Sequence, residues 1–205
     1  MRDGEGLAVN FVGTGVVGEL VAQHAEERLD DTAEQARYAQ QDAHLRIAEP
    51  QVIAIACDHA GYHLKQEVIK VLAELGVKVE DLGCSSPDES VHYPIFGKKV
   101  VDRVLSRPGG RGILICGTGL GMSIVANRFP GIRAALCYDV STAIMSRRHN
   151  DANLLVLGGR MIGPQLAREI VTAWLTTPFD GGRHQERLNL LEKLAAPPSD
   201  NDTPA

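Results

Sequence analysis

The chain has 205 residues, 44% of them hydrophobic and 23% charged, a composition that fits one globular domain with a full core plus tails. A net charge of -5 supplies no diffuse cationic footprint, which argues against nucleic acid or an anionic membrane as partner and leaves a local arginine cluster free to hold a small anion. No apolar run reaches the roughly 18 residues of a bilayer span, and the opening MRDGEGLAV lacks a signal peptide's order of charge and apolarity, so the chain reads as cytoplasmic.

In chain order, LAVNFVGTGVVGE comes first: Gly13, Gly15 and Gly18 match the GxGxxG spacing of a dinucleotide loop. The unit needs a second strand ending in an acidic residue, yet DTAEQARYAQQDAH (31–44) is helix-like, so the bland reading is an N-terminal extension over 1–50, helical from about Val16 to Leu29 and Thr32 to Leu45. A dinucleotide-binding module using Gly13 to Gly18 stays as the alternative from a different class.

From residue 52 short apolar runs alternate with helical patterns, the signature of a parallel sheet covered on both faces. The expected strands are VIAIAC (52–57), VKVEDLG (77–83), GILIC (112–116), IRAALCY (132–138) and NLLVLG (153–158). Leu64, Val68, Val71, Leu72 and Leu75 form one helical stripe, with Gly76 at the C-cap position. Pro94 and Pro164 stand where helices begin. The fold expected for 51–195 is a doubly wound, three-layer α/β/α domain with a five-stranded parallel sheet, Rossmann-like in its winding. RHQERLNLLEKLA (183–195) reads as an amphipathic helix, and 196–205 as a disordered tail.

Ligands of such sheets sit beyond the carboxyl ends of strands, so loop-end motifs come first. Four are chemically rich: Cys57-Asp58-His59, Cys116-Gly117-Thr118-Gly119-Leu120-Gly121, Arg147-Arg148-His149-Asn150 and Gly158-Gly159-Arg160. As loop-end motifs they could share one cleft. Cys116 ends a strand where a helix starts, a setting that favours the thiolate, and the three glycines give backbone N–H groups open access to an oxyanion. For an isolated Cys-Gly, a buried structural cysteine is the competing reading, and Cys57 and Cys137, inside apolar runs, keep it. Cys84 and the other three have no CxxC pairing and read as free thiols. His59 and His149 suit proton transfer or anion contact. His59 and His63 have i, i+4 spacing without a third ligand, so no metal site is expected. Arg183 and Arg187 share a helix face as a fork for phosphate, or as a solvated pair.

Taken together, CDHAGYHLK (57–65), ICGTGLGMSIVANR (115–128), SRRHNDANLLVLGGR (146–160) and FDGGRHQERL (179–188) resemble the ribose-5-phosphate isomerase B family, which belongs with the galactose-6-phosphate isomerase subunits. The resemblance covers about residues 52 to 195. It implies interconversion of ribose 5-phosphate and ribulose 5-phosphate without metal or organic cofactor. Cys116 corresponds to the base that moves a proton between C1 and C2, and His149 to the acid that opens the sugar ring. Asp58 and Thr118 would handle the ring and hydroxyls, and the backbone from Gly117 through Gly119 and Leu120 to Gly121 would hold the enediolate. His59, Arg160, Arg183 and Arg187 correspond to substrate contacts, the arginines chiefly on phosphate; Asn150 joins the sugar contacts and Tyr93 lines the pocket. Met122 stands where one branch of the family has a glutamate base, which places this chain with the cysteine branch. His92-Tyr93-Pro94 departs from the pentose pattern toward one galactose-6-phosphate isomerase subunit, so a hexose 6-phosphate, allose or galactose, is the alternative substrate. The resemblance also implies a homodimer or dimer of dimers with active sites shared between subunits. The intact Cys116, His149 and arginine set argues against a catalytically silent member.

Overall fold

The computed structural model describes residues 52–195. The Gly13 to Gly18 motif, the helices expected before residue 50 and the tail expected at 196–205 all fall outside the described residues. Five strands alternate with helices: β1 (Val52–Cys57), α1 (Tyr62–Glu74), β2 (Lys78–Asp81), α2 (Tyr93–Leu105), β3 (Arg111–Cys116), α3 (Leu120–Ala126), β4 (Ala134–Leu136), α4 (Val140–Asn150), β5 (Leu154–Gly158), α5 (Pro164–Thr176) and α6 (Arg183–Ala195), with a 3-10 turn at His59–Gly61 after β1. All strand pairs are parallel, in the order β2-β1-β3-β5-β4.

The period-2 alternation of the strands divides the core. Ile53, Ile55, Cys57, Ile113, Ile115, Leu155 and Leu157 face one layer, packed by Leu64, Val68 and Leu72 of α1, Ala143 of α4 and Ile170, Val171 and Trp174 of α5. Ala54, Ala56, Leu114, Cys116, Leu154 and Val156 face the other, under Val100, Val101 and Val104 of α2 and Met122 and Ala126 of α3. A strand buried on both faces needs an apolar run, which is why these strands are legible as runs. Each fully buried Ile, Leu or Val contributes about 1.5–3 kcal/mol to the layer it enters.

The second and fourth strands are shorter than their apolar patterns suggest, Lys78–Asp81 and Ala134–Leu136, because each is an edge strand with one hydrogen-bonded neighbour. The α1 stripe is buried up to Leu72, and Leu75 is the C-cap, so Gly76 lies one residue beyond the expected cap, with φ +71. That left-handed backbone is the one glycine adopts without steric cost. Pro164 is the first residue of α5, while Pro94 follows Tyr93 into α2, both where a missing N–H costs nothing. No described helix is long and apolar enough to cross a membrane.

From β1 the chain winds outward to β2, then crosses back past β1 to β3. The crossover helices α1 and α2 therefore lie on opposite faces, and the loops leaving β1 and β3 part to open a crevice at the carboxyl edge. Asp58-His59 and the Cys116 loop stand at that crevice.

Candidate active site

The carboxyl-edge half is built from three loops tied by backbone hydrogen bonds. The Asp58 N–H donates to Ile115 O at 3.2 Å, the Gly159 N–H to Cys116 O at 2.8 Å and the Arg160 N–H to Gly117 O at 2.9 Å. Asp58 is buried and its Oδ1 caps the 3-10 turn by accepting from the Gly61 N–H at 3.0 Å, so the carboxylate is fixed in place by its own chain. His59 Nδ1 accepts from the Val91 N–H at 3.3 Å, which leaves the proton of a neutral ring on Nε2.

Cys116 differs from its neighbours in sequence type only by position. Its Sγ accepts a hydrogen bond from the Gly119 N–H at 3.1 Å, a contact that strengthens when sulfur carries charge. Gly119 holds φ +84, and a Cβ there would strike Leu136 and crowd the Leu157 carbonyl at 3.1 Å, so only glycine turns this amide back onto the thiol. Thr118 accepts twice, from the Leu120 N–H at Oγ1 (3.3 Å) and from the Tyr138 hydroxyl at its carbonyl (2.6 Å). Leu120 itself is exposed at the start of α3. The Tyr93 ring lies over Gly121 so closely that a Cβ would sit 2.8 Å from it. Arg160 runs beside Gly117, is exposed, and its guanidinium has no partner among the described residues. Cys57 and Cys137 are core filling: burial pushes their thiols up to about 12 and about 11.

The amino-edge half holds the remaining sequence-predicted residues. His149 stands in the last turn of α4 and stacks on His184 of α6 with ring centroids 4.2 Å apart and planes 4° from parallel. Burial lowers the His184 pKa, helped by the charges of His149, Arg183 and Arg187. Asn150 is exposed beside His149, and Arg183 and Arg187 are exposed on α6 one turn apart. Asp180 fixes the approach to α6: both its oxygens accept from Arg148 Nε at 3.2 and 3.0 Å, and its N–H donates to the Arg148 carbonyl at 3.0 Å. The possible ligand atoms of His149, Asp180 and His184 lie within 4.8 Å of one another. Two parallel stacked rings aim their lone pairs along separate planes, and Asp180 is already held by a guanidinium, so the trio does not fit a shared metal ion.

One expectation needs correction. Cys116 pairs with Gly158 at the ends of β3 and β5, whereas His149 and Asn150 precede Leu154 at the start of β5. Four steps of parallel strand, about 13 Å, separate the two edges. Within one chain the His149 motif therefore does not share the Cys116 cleft, because a residue between a helix and the following strand belongs to the sheet's amino edge. His184, Asp180 and Tyr138 were missed as supports. His184 was detectable, since His184 and Leu188 stand four residues apart on one face of α6 and both are buried.

A sequence profile described as ribose/galactose isomerase matches residues 53–191. Ribose-5-phosphate isomerase B of Escherichia coli is 47% identical over 142 residues, 69% of this chain and 95% of that protein. A D-erythrulose-4-phosphate isomerase of Pectobacterium atrosepticum is 42% identical over 130 residues, 63% of this chain and 86% of that protein. The crystal structure of a ribose 5-phosphate isomerase from Thermotoga maritima superimposes with a TM-score of 0.68 at 53% identity, covering 71% of this chain and 99% of that one. Fold and sequence together define a sugar isomerase of α/β type. The chain belongs to the ribose/galactose isomerase family.

Proposed function

We propose that the protein interconverts ribose 5-phosphate and ribulose 5-phosphate through an enediolate, at a site that takes its carboxyl-edge half from one subunit and its amino-edge half from another. The observation that carries this reading is the Cys116 thiol held against the Gly119 N–H at the mouth of a crevice. Isomerisation needs a base for a weakly acidic C–H beside a carbonyl and donors for the oxygen that becomes negative. Cys116 takes the C2 proton of the open aldose and returns it to C1. O1 gains a proton as the enediol forms, and O2 loses one as the ketone forms. Backbone amides between Gly117 and Gly121 face the developing oxyanion, and Asp58 and Thr118 handle the sugar hydroxyls.

His149 of a second subunit acts as the acid that opens the furanose ring. Its stacked partner His184 is kept toward the neutral form by burial and the charges around it. Arg160 and His59 on one edge, and Arg183 and Arg187 on the other, converge on the phosphate, with Asn150 on the sugar and Tyr93 over Gly121 closing the pocket wall. Metal and organic cofactors have no part in this scheme. The family relative named for D-erythrulose 4-phosphate, together with His92-Tyr93-Pro94, keeps substrate length open to measurement.

The test is kcat/KM across ribose 5-phosphate, allose 6-phosphate, galactose 6-phosphate and erythrulose 4-phosphate, for the full chain and for Cys116→Ala. Ribose 5-phosphate is expected to lead, and Cys116→Ala to lower its kcat by about 100-fold to 10,000-fold while the protein stays folded. Retained activity in the variant removes Cys116 as the base; a hexose or tetrose phosphate in first place replaces the substrate and keeps the chemistry.

A further inference from the structure

The amino edge of the sheet carries a cavity of about 430 Å3 between the loop that follows α2 and the starts of β3, β4 and β5. Its size falls within the range that holds small ligands. None of the residues assigned above to proton transfer or sugar binding lines it. Four guanidiniums do, those of Arg107, Arg111, Arg133 and Arg147, against a single lining carboxylate, Asp151.

That carboxylate is already divided. Asp151 pairs with Arg133 at 3.0 Å and with Arg147 at 2.8 Å. The nearest other acids serve the periphery: Glu80 holds Arg107 at 2.9 Å and also pairs with Arg103, and Glu192 stands 3.9 Å from Arg133. Arginine donors remain unused. Arg107 Nη1 and Arg147 Nε are buried without a hydrogen-bond partner among the described residues, and Arg147 is only 3% exposed. Arg111 makes one long hydrogen bond, 3.4 Å, to the Leu175 carbonyl.

The cations are also pressed together. The Cζ atoms of Arg111 and Arg147 lie 5.6 and 5.9 Å from the centre of the same Trp174 ring. Burial, then the charge of Arg147, lowers the Arg111 pKa to about 10. Desolvated like charges with spare donors are costly unless something shares them, and a planar fork is suited to a phosphate oxygen pair. The rim leaves room for a guest: a Cβ on Gly109 would meet no atom within 4 Å.

We propose that this arginine-lined cavity is a binding site for a small, multiply charged anion of the phosphate class, separate from the site of isomerisation. Arg111 binds its oxygens from the start of β3, Arg147 from α4 and Arg107 from the loop after α2.

Titration calorimetry of the full chain with inorganic pyrophosphate, in phosphate-free buffer, tests the assignment. The unmodified protein is expected to bind pyrophosphate in two classes per chain, one at the isomerase site and one in the cavity. The Arg107→Gln/Arg111→Gln variant is expected to lose one class, its affinity falling about tenfold or more, with kcat/KM for ribose 5-phosphate unchanged. Arg187→Gln is expected to remove the other class and leave the cavity class intact. Arg107→Gln alone, on a half-exposed side chain, covers the case in which the double variant does not fold, and must itself weaken the cavity class. A single class abolished by Arg187→Gln, or an Arg107→Gln titration identical to that of the unmodified protein, overturns the proposal.

Discussion

A general acid must come within about 2.6–3.2 Å of the atom it protonates, and about 13 Å of strand stands between the Cys116 and His149 edges of one chain. On the proposed mechanism each working site combines the carboxyl edge of one subunit with the amino edge of another, which a two-fold dimer would do twice. Cys116→Ala damages the first half of both sites, and His149→Asn the second half of both. In a heterodimer of the two variants one site carries both lesions and the other carries neither. Equal amounts mixed, unfolded and refolded with random pairing give heterodimers as half of all dimers, so about one quarter of the unmodified kcat per chain should return. Each variant refolded alone should stay below about 1%. The reciprocal mixture sharpens the assay: unmodified chain refolded with an equal amount of the Cys116→Ala/His149→Asn double variant should give about one quarter of full activity, against about one half if each chain held its own site. Tagged chains, with pull-down to verify that pairs have exchanged, complete the experiment. Exchanged heterodimers with no recovered isomerisation would refute the shared-site reasoning.

Three further outcomes follow from the same geometry. Gly119→Ala forces a side chain into φ +84 and against Leu136, which costs about 1–2 kcal/mol for the backbone alone, so a urea midpoint no lower than that of the parent contradicts the turn. His184, with its pKa lowered from the ordinary 6.5, binds fewer protons folded than unfolded; stability is fully present above that value and is lost as pH falls below it, and His184→Asn should flatten the slope of melting temperature against pH between 7 and 5. Lys65 is 1% exposed and bound to both oxygens of Asp81 at 2.7 Å, so Asp81→Ala should destabilise by about 2–3 kcal/mol and Lys65→Met by less, as measured by denaturant unfolding.

Much of the fold could be read before any coordinates. Doubly buried strands such as Leu154–Gly158 advertise themselves as unbroken apolar runs, and Pro164 and Gly76 mark helix ends by what their backbones permit. The edge strands were overestimated because apolar residues continue past the last ladder bond: Ile132 and Cys137 are buried on either side of β4 without belonging to it. At the site, Cys116 was legible through its place between a strand and a glycine turn, while its hydrogen bond from Gly119 depends on a left-handed backbone that the spacing alone permits but does not impose. The arginine cavity gave no such signal. Arg107, Arg111, Arg133 and Arg147 are scattered over 41 positions of sequence and meet only because three strands begin side by side.

The edge on which His149 falls had its answer in the chain order. A motif between a helix and the next parallel strand cannot lie at the edge where strands end, since each strand runs the same way. The sequence therefore held two edges of candidate residues from the start: Cys116 ends a strand and Asp58, His59 and Arg160 follow one, while His149, Asn150, Arg183 and Arg187 precede a strand or follow α5. The proposed mechanism uses both sets, and the fold keeps them a strand length apart, so it calls for a second chain. On that proposal a dimer would follow from where the acid and the base fall in the winding. A monomeric variant should keep its fold and the Cys116–Gly119 hydrogen bond and still fail to isomerise.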